Sequence, residues 1–316
     1  MKTRPSIVTI TLNPAIDQTV TIPDFKVGGV NRVGESRCDA GGKGVNVAAC
    51  LADYGLPVTV TGFLGEENPR IFEYFFSQKK IIDRFVRIAG STRTGIKIVD
   101  DRNPSTTDIN FPGQAPSQTD LQRLLEIIAP LSTRCPWFVI SGSIPAGVPD
   151  DIYRRIIEMI MANGGQVALD SSGEAFRQAL DAKPALIKPN IEELEAFCGH
   201  PLKTQAEIIA AARGLLDRGV RTVVVSMGHL GALFVETDAV VRATPPQVQV
   251  RSTVGAGDAM LSGMVAGKIE ARSLMDCARL ATAFSVIAVT RIGAGLPTEP
   301  PLKSIEDQIT LNVIPA

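Results

Sequence analysis

Apolar residues recur along this chain with two alternating periods. Short runs dense in Val, Ile, Thr and Phe at residues 6–12, 58–63, 137–141, 166–170, 185–188 and 222–226 predict β-strands. Between them, residues 44–54 carry Val45, Ala48, Ala49 and Ala52 at helical spacing and stop at Gly55. Residues 150–163 and 205–218 read as helices in the same way. Strands separated by helices need crossover connections, so the pattern predicts an α/β fold with a mostly parallel sheet covered on both faces.

Two stretches break this rhythm. Residues 18–33 and 95–111 hold short β-rich runs with no helix between them. They fit either a small sheet that leaves the main one as a lid or a pair of surface hairpins. Farther on, residues 254–268 and 273–291 are long, rich in Ala and punctuated by Gly, which suits helices packed closely together. No internal repeat or flexible linker interrupts the 316 residues, and they read as one large domain.

Composition narrows the function classes. Hydrophobic residues make up 45% and charged residues 21%, ordinary for a globular chain. With 32 Lys and Arg against 33 Asp and Glu, the net charge of −1 offers no general attraction to nucleic acid or to an anionic membrane, so any anion site has to be local. The five cysteines are scattered with no CxxC pair, which argues against a disulfide framework or a zinc site and for reduced, mostly packed thiols. Residues 1–14 lack the apolar core of a signal peptide and no window approaches a membrane span, so a cytoplasmic location is expected.

Candidate chemistry gathers where glycine-rich turns meet predicted helices. Residues 252–258, STVGAGD, place small side chains at a helix start, where unpaired N–H groups and the helix dipole hold a phosphate. Asp258, just inside, is placed to take the proton of an attacking hydroxyl. The same residues also suit tight packing with an acid that favours the helix N-terminus, and other segments have to decide. Residues 40–46, AGGKGVN, form another such turn, with Lys43 and Asn46 offering a cation and an amide to a polyhydroxylated anion. The spacing is neither GxxxxGK[ST] nor a dinucleotide fingerprint, and a plain helix cap fits it too.

Asp17 follows the first predicted strand and suits a clamp on sugar hydroxyls or a turn. Asn190 and Glu193 have capping-box spacing, and beside Lys188 they equally suit the polar edge of a triphosphate site. The turn with Ser226, Gly228 and Gly231 suits either a nucleotide or a hairpin. The two histidines, His200 and His229, have no partners at metal-binding or nucleophilic spacing.

Taken in order and spacing, TLNPAID, AGGKGVNVA, SGSIP, DSSGEAF, KPNIEEL, VSMGHLGAL and STVGAGDAM resemble the phosphofructokinase-B branch of the ribokinase-like carbohydrate kinases over almost the whole chain. The resemblance implies a three-layer α/β/α sandwich and a β-sheet lid, at about 13–33 and 91–112 here, that joins a homodimer. It also implies ATP as phosphoryl donor and Mg²⁺. By position, Asp258 would be the general base and Gly255, Ala256 and Gly257 the anion hole. Asp17, Gly42 and Asn46 would bind the sugar, over a floor that includes Ser141. Lys43, Arg93 and, from the lid, Arg32 would meet the phosphate it already carries. Lys188, Asn190, Glu193, Ser226, Gly228, Gly231 and Thr253 would serve the nucleotide, with Mg²⁺ held by the ATP phosphates and, through water, by Glu193.

The implied reaction phosphorylates a ketohexose monophosphate, fructose 1-phosphate foremost, with tagatose 6-phosphate and fructose 6-phosphate as alternatives. A non-catalytic sensor of sugar phosphate or nucleotide is the competing class, and turnover separates the two.

Overall fold

The computed structural model describes residues 6–100, 102–103, 105–297, 299 and 301–315; residues 1–5, part of the segment read for a leader, lie outside them. Strand Ile7–Thr11 is buried at every position and pairs in parallel with Val58–Gly65 on one side and Trp137–Ser141 on the other. Parallel pairing continues through Gln166–Asp170, Leu186–Ile187 and Thr222–Ser226. Across the sheet, Ile82–Asp83 and Val86–Ile88 pair in parallel with Val58–Gly65. Strands covered on both faces have no solvent side, which explains their nearly continuous Val, Ile and Thr.

One edge departs from the expected parallel order. Ala232–Glu236, Ala239–Thr244 and Thr310–Ile314 run antiparallel to their neighbours. Only Thr237 and Asp238 separate the first two, and a connection that short makes a hairpin, whereas a parallel crossover needs a dozen residues or more.

Apolar side chains fill both faces of the large sheet. One core joins Val45, Ala48, Leu261 and Phe284 with the sheet, the other Tyr153, Ile156, Leu194 and Leu215, which makes three layers. In the first layer, helices Ala256–Ile269 and Leu274–Val289 approach backbone to backbone. A Cβ on Gly263 would lie 2.6 Å from Ala281 Cα, and one on Gly267 2.7 Å from Cys277 Sγ. The Gly and Ala read from the sequence are therefore the contact itself.

The two irregular stretches meet in a separate four-stranded sheet ordered Glu35–Gly41, Ala15–Thr21, Thr94–Asp100, Ser105–Asn110. Its boundaries differ from the expected ones. Strand structure ends at Thr21, residues 22–34 run as turns and loop, and Glu35–Gly41 supplies the next strand. That strand, ESRCDAG, is mostly exposed, so it carries no hydrophobic alternation to betray it. Residues 101 and 104, within the second stretch, lie outside the described residues. Asp100 ties loop to strand, accepting hydrogen bonds from the backbone N–H groups of Asp24, Phe25, Arg102 and Asn103.

No described helix is long and apolar enough to cross a membrane. All five cysteines are free, and Cys50, Cys135 and Cys277 are buried.

Gly263→Ala should force the two helices apart and lower stability by about 1–3 kcal/mol, read from urea unfolding midpoints, with no direct effect on any group of the polar cavity described below.

Candidate active site

The parallel strands Ile7–Thr11, Trp137–Ser141, Gln166–Asp170 and Thr222–Ser226 end on one side of the sheet, where α/β folds collect ligands. A polar cavity of about 380 Å³ opens there, walled by Asp258, Asn46, Lys43, Lys188, Asp170 and Arg93, with Asp17 and Lys97 of the small sheet facing them.

Asp258 is the third residue of helix Ala256–Ile269, whose N-cap Gly255 holds φ at 79°, the left-handed region that suits glycine. Among the described residues no side chain caps this helix, so its first-turn N–H groups have no intrahelical acceptors. Gly257 is tight against its surroundings, since a Cβ there would lie 3.1 Å from Lys188 Nζ. Asp258 is 6% exposed and accepts a hydrogen bond from Asn46 Nδ2 at 2.8 Å. Burial pushes its pKa up to about 6, the charge of Asp170 adding to the rise and the bond from Asn46 and the charges of Lys43 and Lys188 opposing it. A buried carboxylate poised near neutrality is what a general base requires.

Lys43 and Lys188 converge on one carboxylate. Lys43 Nζ lies 3.1 Å from Asp170 Oδ1, and Lys188 Nζ lies 3.3 Å from Asp170 Oδ2. Burial alone would protonate Asp170, yet Lys188 and then Lys43 hold it below the ordinary carboxylate range. Burial would also discharge Lys43, but Asp170, then Asp258 and Glu193, raise its pKa. Two lysines thus surround one carboxylate, and Asp258 beside them lies near its titration point.

Lys43 opens helix Lys43–Asp53 after N-cap Gly42, whose φ of 108° brings the backbone close enough that a Cβ would lie 2.9 Å from Pro14 Cα. Asn46 follows one turn later and reaches Asp258. Asp17 is seated against two glycines: a Cβ on Gly41 would overlap its Oδ2, and one on Gly95 would lie 3.2 Å from its Oδ1. It pairs with Lys97 Nζ at 2.5 Å. Arg93 donates through Nη2 to the Asn13 carbonyl at 3.2 Å and through Nη1 to Asn110 Oδ1 and the Phe111 carbonyl at 3.4 Å. Its buried Nε has no hydrogen-bond partner among the described residues, and burial lowers its pKa.

On the far wall, Asn190 and Glu193 form a full capping box: Glu193 N–H donates to Asn190 Oδ1 at 2.7 Å and Asn190 N–H to Glu193 Oε2 at 2.9 Å. Both also line the cavity with Ser226, so capping does not remove them from its wall. Among the described residues no cluster of three His, Cys, Asp or Glu is ready to cage a metal. The donor set fits Mg²⁺ only as an ion carried on phosphate oxygens, with Glu193 at the cavity edge as an outer partner.

Several expected residues lie off this wall. Gly228 and Gly231 belong to the short turn after Thr222–Ser226, Thr253 and Arg32 are exposed, Ala256 opens its helix without lining the cavity, and Ser141 is buried at its strand end with a hydroxyl that has no hydrogen-bond partner among the described residues. His200 and His229 are both exposed. Two charged cavity residues escaped the sequence reading. Asp170 ends a correctly placed strand, and its position at a strand carboxyl end was the available signal. Lys97 alternates with Ile96 and Ile98 as a solvated strand residue does, so nothing in the sequence pointed it inward.

Residues 10–300 match the model of the pfkB family carbohydrate kinases. The chain is 47% identical over 284 residues to a 1-phosphofructokinase of Xanthomonas campestris pv. campestris, covering 88% of this chain and 89% of that protein. It is 43% identical over 310 residues to a 1-phosphofructokinase of Rhodobacter capsulatus, covering 98% of each. Among solved structures, phosphofructokinase-2 of Escherichia coli in complex with fructose-6-phosphate superimposes with a TM-score of 0.88 at 28% identity, covering 96% of this chain and 98% of that one.

The raised pKa of Asp258 has two measurable consequences. The acidic limb of the kcat/KM profile should have its midpoint near pH 6, where the carboxylate gains its proton. Below about pH 4 the group is protonated in both the folded and the unfolded chain. Between there and pH 6 only the unfolded chain releases the proton, so folding loses up to about 3 kcal/mol, fully developed above pH 6. Asp258→Asn keeps an acceptor for Asn46 and removes that penalty, and at pH 8 its Tm should exceed the parent's by about 2–4 °C.

Proposed function

The chain belongs to the pfkB family of carbohydrate kinases, and from that premise we propose that it transfers the γ-phosphoryl group of ATP to the C6 hydroxyl of fructose 1-phosphate, releasing ADP and fructose 1,6-bisphosphate. The observation that carries the reading is Asp258: a buried carboxylate held near neutrality at the head of a glycine-opened helix, in a cavity whose other walls bear Lys43, Lys188 and Arg93. Relatives named 1-phosphofructokinase at 43–47% identity support the choice of sugar phosphate.

In this reading the C6 hydroxyl donates its hydrogen bond to Asp258, and Asn46 fixes the carboxylate by donating to its Oδ2. As the oxygen attacks in line, its proton passes to Asp258, and the N–H groups of Gly255, Ala256 and Gly257 receive the charge spread over the moving phosphoryl oxygens. Lys188, beside Gly257, faces the same oxygens. Lys43 and Arg93 hold the phosphate at C1, Asp17 the sugar hydroxyls, and Asn190, Glu193 and Ser226 border the triphosphate. Mg²⁺ carried with ATP would neutralise phosphate charge during the transfer, and Glu193 would hold it through water.

The small sheet acts here as the lid of a single kinase domain, excluding water from the transfer. Its outer strand Ser105–Asn110 is exposed along its whole length, and Ile109 and Phe111 are about half exposed at 45% and 50%. An uncovered edge with apolar side chains suits pairing with the lid of a second copy.

ADP release measured with fructose 1-phosphate, fructose 6-phosphate and tagatose 6-phosphate tests the reading, with the highest kcat/KM expected for the first. Binding without turnover of any of them would instead identify a sensor. Asp258→Asn should lower kcat by on the order of a hundredfold or more, and chelation of Mg²⁺ by EDTA should abolish turnover reversibly.

A further inference from the structure

Among the described residues, Lys97 is the one cation of the cavity ion-paired with a carboxylate that the proposed reaction takes away. Lys43 and Lys188 keep Asp170 as counter-ion, and Arg93, though it feels the charge of Asp17, donates its hydrogen bonds to the neutral acceptors Asn13, Asn110 and Phe111. Lys97 is paired with Asp17, the carboxylate read above as the clamp for sugar hydroxyls. The register explains the pairing. Asp17 stands opposite Gly95 and Thr19 opposite Lys97 on adjacent parallel strands, so Asp17, Thr19 and Lys97 project from one face of the small sheet. Asp39, opposite Asp17 on the other neighbour, projects there too but has its own cation, Arg37, at 2.6 Å.

That face looks onto the cavity of Asp258 and onto a smaller adjoining one of about 50 Å³ that reaches Asn46 and Gly255, and Lys97 lines both. Lys97 and Asp17 are largely sheltered, with side chains 16% and 20% exposed. Partners matter more there than at an open surface. When sugar hydroxyls donate to Asp17, they compete with Lys97 for its oxygens. An uncharged sugar would leave the ammonium sheltered and weakly paired. A sugar phosphate brings a replacement anion within reach of its flexible four-carbon stem.

Resting on the kinase reading above, we propose that Lys97 is a specificity-determining residue that makes the phosphate already on the sugar a requirement: its ammonium is handed from Asp17 to that phosphate as the substrate binds. Asp17 and Lys97 together then act as an exchange site, with one cation served by protein carboxylate before binding and by substrate phosphate after it.

A double-mutant cycle read as kcat/KM for fructose 1-phosphate tests this. Lys97→Met should lower kcat/KM on the order of 30-fold, as expected for loss of a charged hydrogen bond, through KM for the sugar, leaving kcat within about threefold and KM for ATP unchanged. Lys97→Arg should recover most of the loss. In an Asp17→Asn background the same Lys97→Met change should still lower kcat/KM at least about tenfold, because the phosphate contact outlives the ion pair. If the loss disappears in that background, Lys97 only holds Asp17, and the proposal is overturned; it is overturned equally if Lys97→Met has no effect on the parent. Thermal unfolding checks each variant, and Lys97→Gln, which keeps a donor for Asp17, replaces Lys97→Met in the cycle if the latter does not fold. Failure of the unaltered enzyme to turn over any ketohexose monophosphate would instead remove the kinase reading itself.

Discussion

The polar half of this molecule depends on one carboxylate. Asp170 is 1% exposed, and an isolated charge at that depth is strongly disfavoured, so it exists there only with Lys43 and Lys188 around it. Those lysines come from distant parts of the chain, one opening helix Lys43–Asp53 and the other following strand Leu186–Ile187. Because both must reach the same two oxygens, the ion triad fixes where the Gly42 turn and the Lys188 loop stand relative to each other. It also sets the charge balance felt by Asp258, whose carboxylate lies near its titration point.

Packing supplies the complementary constraint. Helix Ala256–Ile269 is buried from Asp258 to Gly267, pressed on one side against Leu274–Val289 through Gly263 and Gly267 and on another against Lys43–Asp53. Asp258 and Asn46 therefore meet at the junction of two helices that are themselves held by the core. The 2.8 Å bond between them is a consequence of that packing as much as a source of order. The small sheet is different, with a core limited to Val20, Ile22 and Ile98 and the flanking Phe25 and Ile96.

The legibility of the sequence follows this division. Strands buried on both faces showed as apolar runs, and Trp137–Ser141, Gln166–Asp170 and Thr222–Ser226 have the bounds their sequence suggested. The helices expected at 44–54, 150–163, 205–218, 254–268 and 273–291 lie within two residues of their expected bounds, whereas Arg70–Lys79, Gln118–Ser132 and Gly173–Leu180 were not expected from the sequence. Glu35–Gly41 was not legible either, because an exposed polar strand is defined by its partners rather than by its own pattern. The antiparallel edge was legible only at the turn of residues 226–231, where a hairpin was one of the two readings and joins Thr222–Ser226 to Ala232–Glu236; the strands Ala232–Glu236, Ala239–Thr244 and Thr310–Ile314 were not named from the sequence. In the site, Asp258, Asn46, Lys43 and Asn190 stood out because each adjoins a glycine turn or a cap, features that local sequence encodes. Asp170 and Lys97 depend on long-range pairing with Lys188 and Asp17, which local spacing does not encode.

The contrast between the helix that carries Asp258 and the strand Ser105–Asn110 has a consequence for how such a chain tolerates change. A helix packed on several sides offers few positions where a new side chain fits, whereas residues 105–109 are exposed and paired to the next strand through the backbone, and only Asn110 of that strand reaches the cavity wall, accepting from Arg93. Substitutions at 105–109 leave the interior undisturbed. The framework that presents Asp258 is thus insulated from variation in the sheet that bears Asp17 and Lys97, and a new preference among ligands is accessible to this architecture without rebuilding its interior.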